Sequence, residues 1–188
     1  MPSEVDKKIY RFTAERFSQK GPVYAYYNDD ETISVDIMTG FDCPIKNVNS
    51  YATVGLSASS SQYFEKRVHV ELVGACESKI ASFANVVSSI AIEHLQSGAG
   101  LIHGNVIEDI LGQYKISDSM EHILLCTPFL WPGLINQNFD GRSVHWLMAV
   151  PISDSEYEHW KKFGYQPLID TFEEKQIDVY DINRPSVL

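Results

Sequence analysis

The sequence predicts an α+β fold with a mixed, largely antiparallel central sheet flanked by helices. Strand-like segments come in groups along the chain, and this grouping is typical of α+β proteins rather than of doubly wound parallel sheets. The two runs His122–Thr127 and Val144–Ile152 are rich in isoleucine, leucine and valine, so we expect them to be neighbouring central strands. With 188 residues the chain has the length of one domain, and we predict a single domain over residues 1–188.

Helices are predicted where apolar residues recur at helical spacing between capping residues. The four predicted helices are Ser3–Gln19, Lys79–Gln96, Ser153–Phe163 and Gln166–Lys175. Ser3 with Asp6, and Ser153 with Glu156, have the three-residue spacing by which a side chain caps the first turn of a helix. Ser78 is expected to cap the second of these helices.

The other strand predictions rest on β-branched and aromatic residues that alternate with polar ones. The predicted ranges are Val23–Tyr27, Thr32–Met38, Ser50–Ser57, Tyr63–Cys76 and a short closing strand at Ile177–Tyr180. Between the two central strands lies the loop from Phe129 to Gly141, which contains the apolar residues Phe129, Trp131 and Leu134. These apolar side chains either cap the core or form an exposed patch for a partner, and the burial of Trp131 distinguishes the two interpretations.

Composition excludes several classes of protein. The chain has 15 lysines and arginines against 25 aspartates and glutamates, a net charge of −10, and a nucleic-acid-binding protein needs a positive surface. No run of 18 apolar residues predicts a membrane span, and the polar N-terminus has no apolar core of a secretory signal. The three cysteines lack C-x-x-C spacing, so we expect no disulfide framework and a cytoplasmic location.

Catalytic and metal-binding motifs are weak in this sequence. His69-Val70-Glu71 resembles the H-x-E of zinc deaminases, but the P-C-x-x-C that supplies the two thiolates is absent. His122 and Cys126 lie on one face of a predicted strand, too far apart along it for a direct hydrogen bond. We therefore expect no catalytic residue, no metal and no cofactor. A metal-dependent enzyme that uses His69, Glu71, His122 and His145 is kept as an alternative.

Acidic side chains beside aromatic ones are the strongest signal of a binding surface, because charge steers a partner and aromatic residues anchor it. The first group, here called the hairpin cluster, consists of Tyr26, Tyr27, Asp29, Asp30 and Glu31. The second group, called the helix cluster, consists of Asp154, Glu156, Tyr157, Glu158 and Trp160. The competing interpretation is that these acids are solvated turn and cap residues.

Four stretches together resemble the suppressor-of-fused domain family. They are SYATVGLS (50–57), VHVELVGAC (68–76), TPFLWPG with VHWLMAVPISDSEY (127–157), and the ending from Gly164 to Leu188. The resemblance implies an α+β domain that works by protein binding without catalysis. The length is similar to that of bacterial single-domain members that act as antitoxin or immunity proteins beside LXG-type polymorphic toxins. We therefore expect an immunity protein that neutralises a cognate toxin. The net charge of −10 on this chain favours a basic toxin. The alternative is a general protein-interaction module without a toxin partner.

Overall fold

The computed structural model describes residues 2–63, 66–98 and 100–188. The helices are α1 (Glu4–Arg16), α2 (Phe83–Ser97), α3 (Ile110–Tyr114), α4 (Asp154–Phe163) and α5 (Tyr165–Lys175). The strands are β1 (Val23–Tyr27), β2 (Ser34–Gly40), β3 (Val48–Val54), β4 (Ser61–Tyr63), β5 (Lys66–Glu77), β6 (Val106–Ile107), β7 (His122–Cys126), β8 (Gln137–Phe139) and β9 (Arg142–Ile152). Within these ranges no helix combines the length and the hydropathy needed to span a membrane.

The strands form one mixed sheet in the order β1-β2-β3-β5-β9-β7-β6, with β4 beside β5 and β8 beside β9. Strands β5 and β9 pair in parallel, and every other described pair is antiparallel. The predicted α+β class with a largely antiparallel sheet is therefore confirmed. The expectation that the two apolar runs are neighbours is also confirmed, because His122 of β7 pairs with Ile152 of β9.

Helices cover both faces of this sheet. The alternation of side chains along a strand sends Val70 and Leu72 of β5 to one face, where α2 and α3 pack. Val73 and Ala75 point to the other face, which α1, α4 and α5 cover. We call these the first face and the second face. Each buries a continuous apolar cluster, so the central strands are apolar on both sides.

The loop between β7 and β8 both closes the core and exposes apolar side chains. Trp131 is 2% exposed, lies 5.5 Å from the ring of Phe17, and donates from Nε1 to the Ser50 hydroxyl at 2.9 Å. Leu134 is buried as well, whereas Phe129 is 60% exposed. The core-capping interpretation therefore holds for Trp131 and Leu134 and is wrong for Phe129.

Two of the three predicted helix caps are confirmed, and the third is wrong, because the N-cap of α2 is Ser82 rather than Ser78. Ser3 accepts a hydrogen bond from the backbone N–H of Asp6, and the Asp6 carboxylate accepts one in return from Ser3. Ser153 and Glu156 form the same reciprocal box at the start of α4. In both cases two backbone donors that a helix leaves free are satisfied by residues three positions apart.

Some predicted elements differ from the structure for a local physical reason. Helix α2 begins at Phe83, because residues 79–82 form tight turns in which the Ile80 N–H bonds the carbonyl of Glu77. The strand that starts in the 48–57 region ends at Val54, since Gly55 has a φ of 98° and turns the chain into a 3-10 turn at Leu56–Ala58. The predicted strand at residues 177–180 is a turn; the Glu77 N–H donates to the Tyr180 carbonyl, and the side chains of the turn pack on the apolar cluster of the second face.

Candidate partner-binding site

A groove with a volume of about 720 Å³ opens on the first face, between the β1–β2 hairpin, α2 and α3. Four carboxylates line it, from Asp29, Asp30, Glu93 and Glu108, and its described lining includes no lysine or arginine. We call it the acidic groove. Apolar side chains, among them that of Leu101, form its floor. An apolar centre inside a charged rim is the arrangement of a protein–protein interface.

Hydrogen bonds within the hairpin turn hold one of its two groove-lining carboxylates, that of Asp30, in place. The Asn28 amide oxygen accepts the N–H of Ile33 at 2.9 Å, and the Asp30 carboxylate accepts the hydroxyl and the N–H of Thr32. These hydrogen bonds from Thr32 lower the pKa of Asp30. Asp30 therefore shapes the turn, while the exposed carboxylate of neighbouring Asp29 is free of such a role among the hydrogen bonds described.

The other two carboxylates come from distant parts of the chain. Glu93 is exposed on α2, whose buried positions face the sheet. Glu108 accepts a hydrogen bond from the hydroxyl of Tyr157 on α4, and this bond is the main cause that raises the pKa of Tyr157 to about 12. Beneath the groove, the Tyr114 and Ser89 hydroxyls hydrogen-bond at 2.5 Å and tie α3 to α2.

The structure brings part of the hairpin cluster into this groove. Tyr27, Asp29 and Asp30 line it, and Tyr27 is 59% exposed. Tyr26 is half-buried against the core of the first face, and burial raises its pKa. Glu31 is exposed at the turn but lies outside the lining of the groove.

The helix cluster divides between the interior and a separate surface. Glu156 is fully buried, and both of its oxygens accept hydrogen bonds from Arg184 at 2.7 Å, so it cannot be the exposed contact that the sequence predicted. Tyr157 is 8% exposed, and its hydroxyl donates a hydrogen bond to Glu108. Asp154, Glu158 and Trp160 stay predictions as partner contacts. They do not line the groove; Glu158 pairs with Lys161, and the indole of Trp160 donates to the Gly104 carbonyl.

The residues of the alternative metal-dependent enzyme do not come together. Strand register places His145 beside Val70 on the first face, whereas His69 and Glu71 point to the second face. His122 pairs with Ile152 of β9, whereas Glu71 pairs with Trp146 of the same strand. These two β9 residues are six positions apart, which separates His122 from Glu71 by about 20 Å along the strand. His69 is occupied locally, because its Nδ1 lies 2.7 Å from the Ser57 carbonyl.

A second arrangement of possible metal ligands is Glu121, His122 and Asp154, whose ligand atoms lie within 4.8 Å of one another. The Nδ1 of His122 accepts the backbone N–H of Asp109 at 2.9 Å. A neutral imidazole that accepts at Nδ1 carries its proton on Nε2, the nitrogen that faces Asp154 at 3.5 Å. That nitrogen has no lone pair for a metal, so the geometry supports a histidine–carboxylate contact instead.

Comparison with known proteins identifies the family. The family model described as Suppressor of fused protein (SUFU) matches residues 31–185. The chain belongs to the suppressor of fused family. It is 35% identical to the protein named Immunity protein YqcF of Bacillus subtilis (strain 168), over 99% of this chain and 98% of that protein.

Solved structures of the family share the fold. A putative SUFU homolog from Neisseria gonorrhoeae has a TM-score of 0.74 at 13% identity, over 98% of this chain and 97% of that one. A chain of the Sufu-Fu complex has a TM-score of 0.70 at 14% identity, with 100% and 93% covered. Drosophila Suppressor of Fused has a TM-score of 0.64 at 15% identity, and the match covers 99% of this chain but 52% of the Drosophila chain.

Sequence reasoning missed Glu93 and Glu108 as parts of the groove. Glu93 did carry a signal, since it is the only Asp, Glu, Lys or Arg residue in α2. Glu108 carried none, because it lies outside the helices and strands that the sequence predicts. Its place in the groove depends on α3 and on the distant Tyr157.

Proposed function

We propose that this protein is an immunity protein that binds a cognate protein toxin and neutralises it. The observation that carries the proposal is the 35% identity with Immunity protein YqcF over nearly the full length of both chains. The membership of the suppressor of fused family and the net charge of −10 support it, because both fit a protein that recognises another protein.

The acidic groove is the surface that we assign to this binding. Four carboxylates without a described lysine or arginine beside them create a concave negative field, which speeds the encounter with a basic surface. The exposed ring of Tyr27 and the apolar floor supply the desolvated contacts on which affinity depends. Electrostatic steering and apolar anchors thus come together at one place.

The proposed mode of action is occlusion of the toxin rather than a chemical step. The buried Glu71 and the dispersed histidines give no arrangement in which a nucleophile or base faces a substrate. We place the protein in the cytoplasm of the cell that makes the toxin. The thiols of Cys43, Cys76 and Cys126 are buried and unpaired, which suits a reducing compartment.

Co-expression with candidate toxin domains encoded beside its gene tests this function. The wild-type chain should restore growth and form a complex with one of them that survives gel filtration. A triple variant, Asp29→Lys with Glu93→Lys and Glu108→Lys, should lose most of the rescue because it reverses the charge of the groove. Failure of the wild-type chain to rescue growth or to bind any neighbouring toxin would contradict the proposal and favour a general interaction module.

The matched control carries the same change in charge at exposed acids elsewhere. Glu15→Lys, Asp170→Lys and Glu174→Lys all lie outside the groove. This control should rescue growth as well as the wild type does. If both triple variants lose rescue equally, net charge and not the groove determines binding.

A further inference from the structure

A second concave surface lies on the second face of the sheet, at the opposite side of the molecule from the acidic groove. It has a volume of about 570 Å³ and opens between the end of β7, helix α5 and the turn at residues 176–180. We call it the apolar cleft. Its main apolar lining residues are Phe129, Leu130, Tyr165, Ile169, Phe172 and Ile177. Its volume and apolar lining are those of surfaces that bind a ligand or an anchoring side chain.

The mouth of the cleft combines an exposed aromatic ring with negative charge. Phe129 is 60% exposed there, although burial of its ring would be favourable. Glu173 and Asp178 are exposed at the rim, and the described lining contains no lysine or arginine. A ligand with an apolar group next to a positive charge therefore matches this surface, because the apolar group contacts the cleft and the charge faces the acidic rim.

The wall that faces α5 is fixed before anything binds. The residues that follow the turn are held by two sets of hydrogen bonds. The Arg184 guanidinium donates to the Glu156 carboxylate, and the Ser117 hydroxyl donates to the Ile182 carbonyl. The turn itself is held where the Glu77 N–H bonds the Tyr180 carbonyl. A preformed cleft loses little conformational entropy on binding, so even one inserted side chain can contribute affinity.

We propose that the apolar cleft is a docking site for a segment of a protein partner in which a phenylalanine or leucine is flanked by lysine or arginine. The identity of that partner as the cognate toxin rests on the proposed function above; the chemistry of the segment rests on the cleft alone. A second copy of this chain fits less well, because it also carries a net charge of −10 and would meet the rim acids with like charge.

Fluorescence anisotropy with labelled peptides tests the site on the full-length protein. The probe is a peptide with the core Lys-Lys-Phe-Lys-Lys, and its controls replace the phenylalanine by alanine or all four lysines by glutamate. At low salt the probe should bind at least about tenfold more tightly than either control, since one control lacks the anchor and the other is repelled. Absence of measurable binding up to millimolar probe would overturn the proposal.

Paired variants locate the binding. Phe129→Ala should weaken probe binding about fivefold or more, whereas Ile135→Ala, at a 65% exposed position on the same loop outside the cleft, should leave it unchanged. Glu173→Lys should weaken binding in the same way, and Glu174→Lys, one residue further along α5, should not. Equal effects on probe binding within either pair would contradict binding of the probe in the apolar cleft. All four positions are exposed, and unchanged melting temperatures confirm that the variants fold.

Three further outcomes test the occupant of the cleft and separate this proposal from the proposed function. If sedimentation shows a dimer that Phe129→Ala dissociates, a second copy occupies the cleft and the proposal is wrong. If Phe129→Ala and Glu173→Lys leave toxin rescue unchanged while the groove variant abolishes it, the cleft plays no part in toxin binding although the proposed function stands. If the wild type fails to rescue but binds the probe with the expected pattern, the function fails and the docking chemistry stands.

Discussion

Two glutamates, Glu71 and Glu156, are both fully buried, and the protein satisfies them in opposite ways. Glu156 faces a cation, since Arg184 donates one hydrogen bond to each carboxylate oxygen. Glu71 faces only neutral donors, from the backbone and hydroxyl groups of Thr53, Gly55 and Ser57. The comparison shows that one residue type acts as half of an ion pair in one place and as a hydrogen-bond centre in another.

The partner decides what each glutamate does for the fold. Through Arg184, Glu156 fixes the C-terminal segment to the first turn of α4, and the guanidinium also reaches the Pro151 carbonyl. Glu71 instead accepts hydrogen bonds from Gly55 and Ser57 and so holds the 3-10 turn that follows β3. Because no cation offsets its desolvation, burial raises the pKa of Glu71 to about 7 even though the four donors lower it. The sequence predicts a functional role for each, Glu71 as a possible metal ligand and Glu156 as a partner contact. Both are buried, and both stabilise the fold instead.

The largest effect that the comparison predicts is at the ion pair. Arg184→Met should lower the free energy of unfolding by about 3–5 kcal/mol, because it leaves the Glu156 carboxylate buried without its cation. Urea denaturation measures this, with Arg11→Met at an exposed position as the control. A loss below about 1 kcal/mol would show that the pair does not hold the segment.

The next effect is a pH dependence that belongs to Glu71. Its pKa is about 7 in the folded protein against 4.5 as the ordinary value, so the folded state holds the proton more tightly. The stabilisation from this proton is complete below pH 4.5 and is lost as the pH rises through about 7. Between pH 5 and 8 the stability of the wild type relative to Glu71→Gln should therefore fall by about 2–3 kcal/mol. A constant or rising difference would mean that the donors outweigh burial.

A smaller effect concerns the hydrogen bonds themselves. At pH 5, Glu71→Gln should cost about 1–2 kcal/mol, because the amide nitrogen cannot accept from the donors that surround it. Glu174→Gln, whose side chain is 77% exposed, should change the free energy of unfolding by less than about 0.5 kcal/mol. Equal values for the two variants would show that the donors around Glu71 do not depend on it.

The smallest effect on stability is expected at the exposed carboxylates of the acidic groove. Asp29→Lys and Glu93→Lys should each change the free energy of unfolding by less than about 0.5 kcal/mol, since both side chains face solvent. Thermal melting at matched ionic strength measures this. A larger loss would place these acids with Glu71 and Glu156 among the structural groups and would remove the groove as a free binding surface.

The sequence predicts the fold better than it predicts the site because the signals differ in range. Capping boxes such as Ser153 with Glu156 and the alternation along β9 are local, and they determine element type and sheet face. Whether Glu156 is exposed depends on Arg184, which lies 28 residues away, and no local pattern reveals that. In the same way the hairpin acids were found from the turn, whereas Glu108 joins them only through the packing of α3 and α4.

The most direct test of the central claim is the association rate of the purified chain with its toxin domain, measured by stopped flow at low and at physiological salt. For the wild type we predict fast association that slows markedly as salt increases. The triple variant of Asp29, Glu93 and Glu108 should associate at least about tenfold more slowly at low salt and should lose most of that salt dependence. Wild-type and groove-variant rates that agree at both salt concentrations would contradict binding through the acidic groove.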